Sequence, residues 1–206
     1  MDAIKHWDGP PLDAWHAWHP REAAALLAGV DAPWCVVGGW AIDLWLGRET
    51  RPHDDLEIAI PRQFFPAVRA RLRDFVLHAV GDGEVRALAA DSEPPPERHQ
   101  TWVLDVVANA WRMDVMLEPG DRATWVFRRD ESIQAPRPRM VRLRDGVPHL
   151  NAAGALLYKA KAMRQKDAAD FTACVKQLDD GDRAWLAEAL ERTHPGHTWI
   201  AALRGR

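Results

Sequence analysis

The chain has 206 residues, enough for one sizeable core or for a domain with a smaller helical companion. Its 27 Lys and Arg against 30 Asp and Glu give a formal charge of −3, so no general nucleic-acid-binding surface is expected and a polyanion must be met locally. Cys35 and Cys174 are too few for a disulfide framework, and neither a leader-like apolar segment nor a run of about 18 apolar residues appears, so a soluble protein of a reducing cytoplasm is expected.

The opening residues to about Pro11 are polar and proline-bearing and read as an irregular arm. Pro20 suits the first turn of a helix through EAAALLAG, where its missing amide hydrogen costs nothing, and Gly29 suits the C-cap. His16 and His19 lie close together here but lack a third ligand for a metal. An apolar β-type run from Trp34 to Val37 leads into a Gly38-Gly39 turn, a short helix from Trp40 to about Leu46, a polar loop, and a second strand from about Asp55. Side chains alternate along a strand, so Asp55, Glu57 and Ala59 share one face and Leu56, Ile58 and Ile60 the other. Two carboxylates pointing the same way repel unless something positive lies between them, and magnesium prefers such oxygen ligands. The competing reading is a solvated strand face.

Residues 62–74 read as an amphipathic helix with Phe64, Phe65, Val68 and Leu72 on its apolar side. One or two short strands follow around Gly81-Asp82-Gly83, and DSEPPPERH from Asp91 to His99 reads as an exposed loop because of its three successive prolines. The runs TWVLDVV and WRMDVML, with Asn109 between them, form a hairpin pattern. They carry Asp105 and Asp114 in apolar surroundings, where a carboxylate is costly unless it is paired or metal-bound. Asp105 has a cross-strand partner at hand in Arg112.

Residues 119–148 read as an edge hairpin followed by a linker. From Asn151, a plausible N-cap, AAGALLYKAKAMRQKDAADFTACVKQL reads as one long helix whose stripe holds Leu156, Leu157, Ala160, Met163, Phe171, Val175 and Leu178. Asp167 falls inside that stripe, with Arg164 three residues earlier as its structural partner. Helices at about 182–192 and 199–203 close a small helical region, and the eleven tryptophans are scattered as core or cleft residues.

One pattern joins these pieces. The run G-G-W-x-x-D, then G-R-x-T-R-x-H-x-D-L-E, occupies Gly38, Gly39, Trp40, Asp43, Gly47, Arg48, Thr50, Arg51, His53, Asp55, Leu56 and Glu57. It resembles the nucleotidyltransferases of the DNA polymerase β superfamily, in particular the 2''-type aminoglycoside and the lincosamide adenylyltransferases. The resemblance is strongest over about residues 33–60 and extends more weakly to the Leu-Tyr-Lys-Ala-Lys segment around Lys159.

The resemblance implies an α+β fold in which a mixed sheet flanked by helices forms a core over residues 1–148, with a helical region over 149–206. It also implies a metal-holding catalytic set of Asp55 and Glu57 with a third carboxylate on a neighbouring strand, for which Asp114 fits better than Asp105. Two Mg2+ ions, with Mn2+ as the alternative, would serve ATP or another NTP there. The phosphates would meet Gly38, Gly39, Arg51 and His53 and a lysine of the later helix, Lys159, Lys161 or Lys166, with Asp167 orienting one of them. Asp43 and Arg48 are expected to serve the fold of the loop, by a salt bridge that the sequence does not locate. Glu57 stands where many relatives carry aspartate, which leaves room for slower chemistry or another metal preference.

The implied reaction moves AMP, or another NMP, to a hydroxyl of a small molecule of the aminoglycoside or lincosamide kind. Nucleic acid and membrane are not the expected partners. Two other functions compete: modification of a macromolecule such as tRNA or protein, and nucleotide binding without turnover.

Overall fold

The computed structural model describes residues 9–205, so the expected N-terminal arm falls largely outside them. Helix α1 (Pro20–Leu26) has Pro20 at its first position, and His19 caps it: the ring accepts from the Arg21 N–H while Glu22 reaches back to the His19 N–H. His19 therefore serves the helix end. Strand β1 (Cys35–Val36) feeds α2 (Gly38–Leu46), and β2 (Glu57–Pro61) follows the polar loop. A single 3-10 turn precedes α3 (Phe65–Arg71), which ends earlier than its apolar pattern suggests.

Strands β3 (Val76–Gly81) and β4 (Glu84–Ala87) form the hairpin expected around the glycines. Strands β5 (Gln100–Asp105) and β6 (Ala110–Glu118) form the second, with Asn109 at φ 50° in its turn. The proline loop between the two hairpins is pinned by the Arg62 guanidinium, which donates to the carbonyls of Pro94 (3.2 Å), Pro95 (3.4 Å), Pro96 (3.1 Å) and Arg98.

After β7 (Thr124–Val126) and β8 (Gln134–Pro136), which pair apart from the main sheet, come α4 (Arg137–Met140), β9 (Val141–Arg144) and β10 (Val147–Leu150). The linker expected at the end of 119–148 is thus mostly ordered sheet, since β10 runs parallel to β1 with Val36 beside His149. That partner lies more than a hundred residues away in sequence, and no local pattern announces it. The main sheet has eight strands in the order β4-β3-β5-β6-β2-β1-β10-β9. It is mixed: the β2·β6 and β1·β10 pairs are parallel and the others antiparallel.

The expected single long helix is two, α5 (Ala152–Lys159) and α6 (Gln165–Val175), followed by α7 (Asp180–Thr193) and α8 (Thr198–Leu203). Asn151 caps α5 by accepting from the Gly154 N–H at 2.8 Å. The chain turns at Met163, which takes φ 49° and is exposed, so it does not belong to the apolar stripe. Asp167 then restarts the helix by accepting the Arg164 N–H at 3.1 Å. Periodicity misses the break because α5 and α6 bury their apolar sides in the same core.

Alternation across the sheet separates two cores. Ile58, Ile60, Val36 and Val115 pack with α1 and α3 on one side. Cys35 and Ala59 pack with α2 and α5 to α8 on the other, so the C-terminal helices share a core with the sheet. The Glu57 face of β2 therefore looks toward the helical layer.

Candidate active site

Asp55 is exposed just ahead of β2, and Glu57 is its first residue. Parallel pairing sets Glu57 opposite Asp114, the register being locked by the Asp114 N–H donating to Leu56 O (2.8 Å) and the Val37 N–H donating to Glu57 O (2.9 Å). Asp114 is 4% exposed. Its Oδ2 accepts from Gln100 Nε2 at 2.8 Å and Trp102 Nε1 at 3.3 Å, whereas Oδ1 is buried without a hydrogen-bond partner.

Burial, reinforced by the charge of Glu57, pushes Asp114 up to about 8. Glu57 is raised by burial and then by Asp55, while Lys159, Arg164 and Lys166 pull the other way. A buried carboxyl raised by a neighbouring acid, with one oxygen left free, suits a divalent cation. Asp55, Glu57 and Asp114 thus fit such an ion, although among the described residues no three potential ligands are already drawn together as a metal cluster.

The other candidate acid lies elsewhere. Asp105 sits at the far end of the β5–β6 hairpin, accepting from Arg112 Nε (3.1 Å) and Nη2 (3.0 Å) as the cross-strand reading expects. The Ala108 N–H and then Arg112 hold its carboxyl below the usual range.

The two glycines make room for side chains. Gly38 takes φ 67°, and a side chain there would overlap the Glu57 carboxylate. A side chain at Gly39 would overlap the Arg51 guanidinium and approach His53 Nδ1 to 2.6 Å. Sequence reasoning assigned the pair to phosphate approach and missed this packing against the acid strand and the loop.

That loop is organised by Asp43. Its carboxylate accepts from the Thr50 N–H (3.1 Å), Thr50 Oγ1 (2.5 Å) and His53 Nε2 (2.6 Å). The salt bridge that the sequence left unlocated is this contact with His53, while Arg48 supplies its backbone N–H to the Asp43 carbonyl at 3.2 Å. Arg51 Nη1 donates to His53 Nδ1 at 3.1 Å, and its Nη2 lies 3.6 Å from Asp170 of α6. His53 also lies against Trp40, with ring centroids 4.4 Å apart. In this arrangement both ring nitrogens of His53 are occupied, so His53 and Arg51 brace the loop against α2 and α6.

Glu57 and Gly38 line one side of a cleft of about 290 Å3, walled on the other by Tyr158, Lys159, Lys161 and Arg164, with Arg128 and Arg129 at its rim. Lys159 ends α5, 7% exposed, its Nζ 2.7 Å from Asp170 Oδ2 and 3.5 Å from Asp167 Oδ1. Asp167 is more fully engaged by Arg164, whose Nε and Nη2 donate to it at 2.9 and 3.2 Å. Lys161 and Lys166 are exposed.

Sequence reasoning missed Arg128, Arg129 and Glu118. Period two along β6 from Asp114 through Met116 would have marked Glu118. It pairs with buried Arg137 at 3.1 Å, and burial, opposed by Arg137, still pushes it up to about 7. Nothing in the local pattern of the turn after β7 marks the two arginines.

Acids set side by side on parallel strands, beneath a glycine-opened helix and across from a basic wall, suit nucleotidyl transfer, and the chain is a nucleotidyltransferase with the polymerase β-like fold. More particularly, residues 21–122, which include Asp55, Glu57 and Asp114, match the family model described as aminoglycoside-2''-adenylyltransferase. The fold is similar to that of ANT(2'')-Ia in complex with adenylyl-2''-tobramycin, at 16% identity and a TM-score of 0.52, over 84% of this chain and 95% of that one. It is also similar to the lincosamide antibiotic adenylyltransferase LnuA, lincomycin-bound, at 13% identity and a TM-score of 0.51, over 74% of this chain and 92% of that one. No curated protein sequence matches the chain. No helix among the described residues is long and apolar enough to cross a membrane.

Proposed function

We propose that the chain transfers AMP from ATP, or the corresponding group of another NTP, to a hydroxyl of a small cationic acceptor of the aminoglycoside or lincosamide antibiotic kind. The observation that carries this reading is the Glu57–Asp114 register, in which Asp114 keeps a buried and unpartnered oxygen and Glu57 lines a basic cleft. In the overall reaction the acceptor oxygen forms a bond to the α-phosphorus, the bond to the β-phosphate oxygen breaks, and pyrophosphate leaves. Asp55, Glu57 and Asp114 would hold Mg2+, which when bound offsets triphosphate charge and favours the deprotonated acceptor oxygen.

The chain's own groups do the positioning. Lys159, Lys161 and Arg164 present positive charge to the phosphates, and the amides of Gly38 and Gly39 add the positive end of α2. Asp114, besides completing the acid set, would take the hydroxyl proton on its carboxylate. Residues 1–148 would carry the acids and 149–206 the lysine wall.

The reading is tested by incubating the protein with Mg2+, labelled NTPs and separate panels of aminoglycosides, lincosamides and bulk RNA, following pyrophosphate. Release that depends on a small acceptor and disappears in Asp114→Asn is expected. Release undiminished by Asp55→Asn or Asp114→Asn would overturn the site, and release with RNA alone would overturn the acceptor class.

A further inference from the structure

Two cations of the basic wall, Lys159 and Arg164, meet Arg51 and the carboxylates of Asp167 and Asp170 at unequal distances. Asp167 takes three donations from Arg164 and keeps Lys159 Nζ only at 3.5 Å. Asp170, one helical turn on and 3% exposed, has Lys159 Nζ at 2.7 Å as its close partner and Arg51 Nη2 at 3.6 Å as its distant one. If Lys159 turned toward a phosphate, Asp170 would become a buried carboxylate without a close counter-ion, which is strongly unfavourable. Arg51 stands one short movement away from that role.

Arg51 reaches this position across the first turn of α2, and the path is open only because residue 39 is glycine, whose side chain would otherwise meet its guanidinium. Its other end is fixed by Nη1 on His53 Nδ1 and on Pro52 O, both at 3.1 Å. His53 is in turn fixed by Asp43. The strut thus runs from Asp43 to the cleft lysine.

We infer that Asp170 is a positioning residue for the Lys159 ammonium, and that Arg51 takes over as the Asp170 counter-ion when Lys159 engages a nucleoside triphosphate. This rests on the reading of Lys159 as a phosphate ligand. It gives Arg51 and His53 a place in nucleotide binding without contact to the nucleotide. Loop 47–53 is tightened onto α6 when the cleft is filled, because the Arg51–Asp170 distance must shorten as the Lys159–Asp170 distance grows.

The test is equilibrium binding of the non-transferable α,β-methylene analogue of ATP, with Mg2+, to the full chain by calorimetry, beside kcat and KM for whichever acceptor is active. Lys159→Gln, Asp170→Asn and Arg51→Gln are each expected to weaken the analogue about tenfold, the loss of one charge-assisted contact. The double variant Lys159→Gln/Asp170→Asn, which removes both buried charges together and guards against misfolding of the single ones, should be no worse than Lys159→Gln alone. Arg51→Lys should restore most of the affinity, and the acceptor KM should stay unchanged throughout.

Wild-type affinity in Lys159→Gln would overturn the phosphate-ligand reading itself. Weakened binding in Lys159→Gln with wild-type binding in Asp170→Asn, or additive losses in the double variant, would leave that reading intact and overturn the positioning role.

Discussion

Gly38→Ala separates backbone strain from displacement of the acid. The residue takes φ 67°, and the left-handed region costs an L-residue roughly 1–2 kcal/mol. In a chain of this size such a loss lowers Tm by roughly 2–8 °C. The new methyl group would also overlap the Glu57 carboxylate, which must retreat by about 1 Å, and a misplacement of that size costs roughly a hundredfold in rate. Gly146→Ala is the control: at φ 79° it bears the same strain in the β9–β10 turn, with nothing within 4 Å of the added carbon. Thermal melts should fall similarly for the two variants, while acceptor-dependent pyrophosphate release falls about a hundredfold only in Gly38→Ala. Equal activity losses in both variants, or full activity in Gly38→Ala, would refute the claim that this glycine exists to seat Glu57.

Three further outcomes follow from the charges. Asp114 is raised from 3.8 to about 8, so its favourable contribution to stability is fully present below 3.8 and is lost as pH rises through about 8. Without metal, melting temperatures should therefore decline across that window in the wild type and less in Asp114→Asn, and Mg2+ should raise the wild-type Tm more at pH 9 than at pH 6. His149 is buried and lowered from 6.5, mainly by desolvation, so its contribution is present above 6.5 and lost as pH falls below it. The gap in Tm between wild type and His149→Gln should then change between pH 7.5 and 5, and a constant gap would show that burial does not control this ring. Arg62→Ala releases the carbonyls of the proline loop, at a cost of about 1–3 kcal/mol; limited proteolysis should find new cleavage within residues 91–99, and an unchanged digestion pattern would show the grip to be incidental.

Both hairpins, the cap at Asn151 and the three-proline loop were legible because each rests on spacing of a few residues, whereas the pairing of Asp114 with Glu57 was expected from the family resemblance and not from spacing. Alternation of period two fixes a strand's faces, and a cap or a turn is decided by its own side chains and backbone. For the same reason the family pattern over Gly38 to Glu57 was readable, since its residues serve one compact unit. One local reading still failed: the helix through Met163 looks continuous because its halves bury their apolar sides in one core. The salt bridge of Asp43 could be expected but not located, because opposite charge without geometry is all that a sequence offers.

What the amino-acid order determined by itself was therefore local: where hairpins, turns and helix caps fall and where glycine is required. Tertiary structure alone decided the pairing of β10 with β1, the place of Arg128 and Arg129 at the cleft, and the passage of Arg51 over Gly39 to Asp170. The strand pairing and the Arg51–Asp170 contact join segments more than 110 residues apart, where the partner is selected by how the sheet and its helices pack, a global balance that no window along the chain contains.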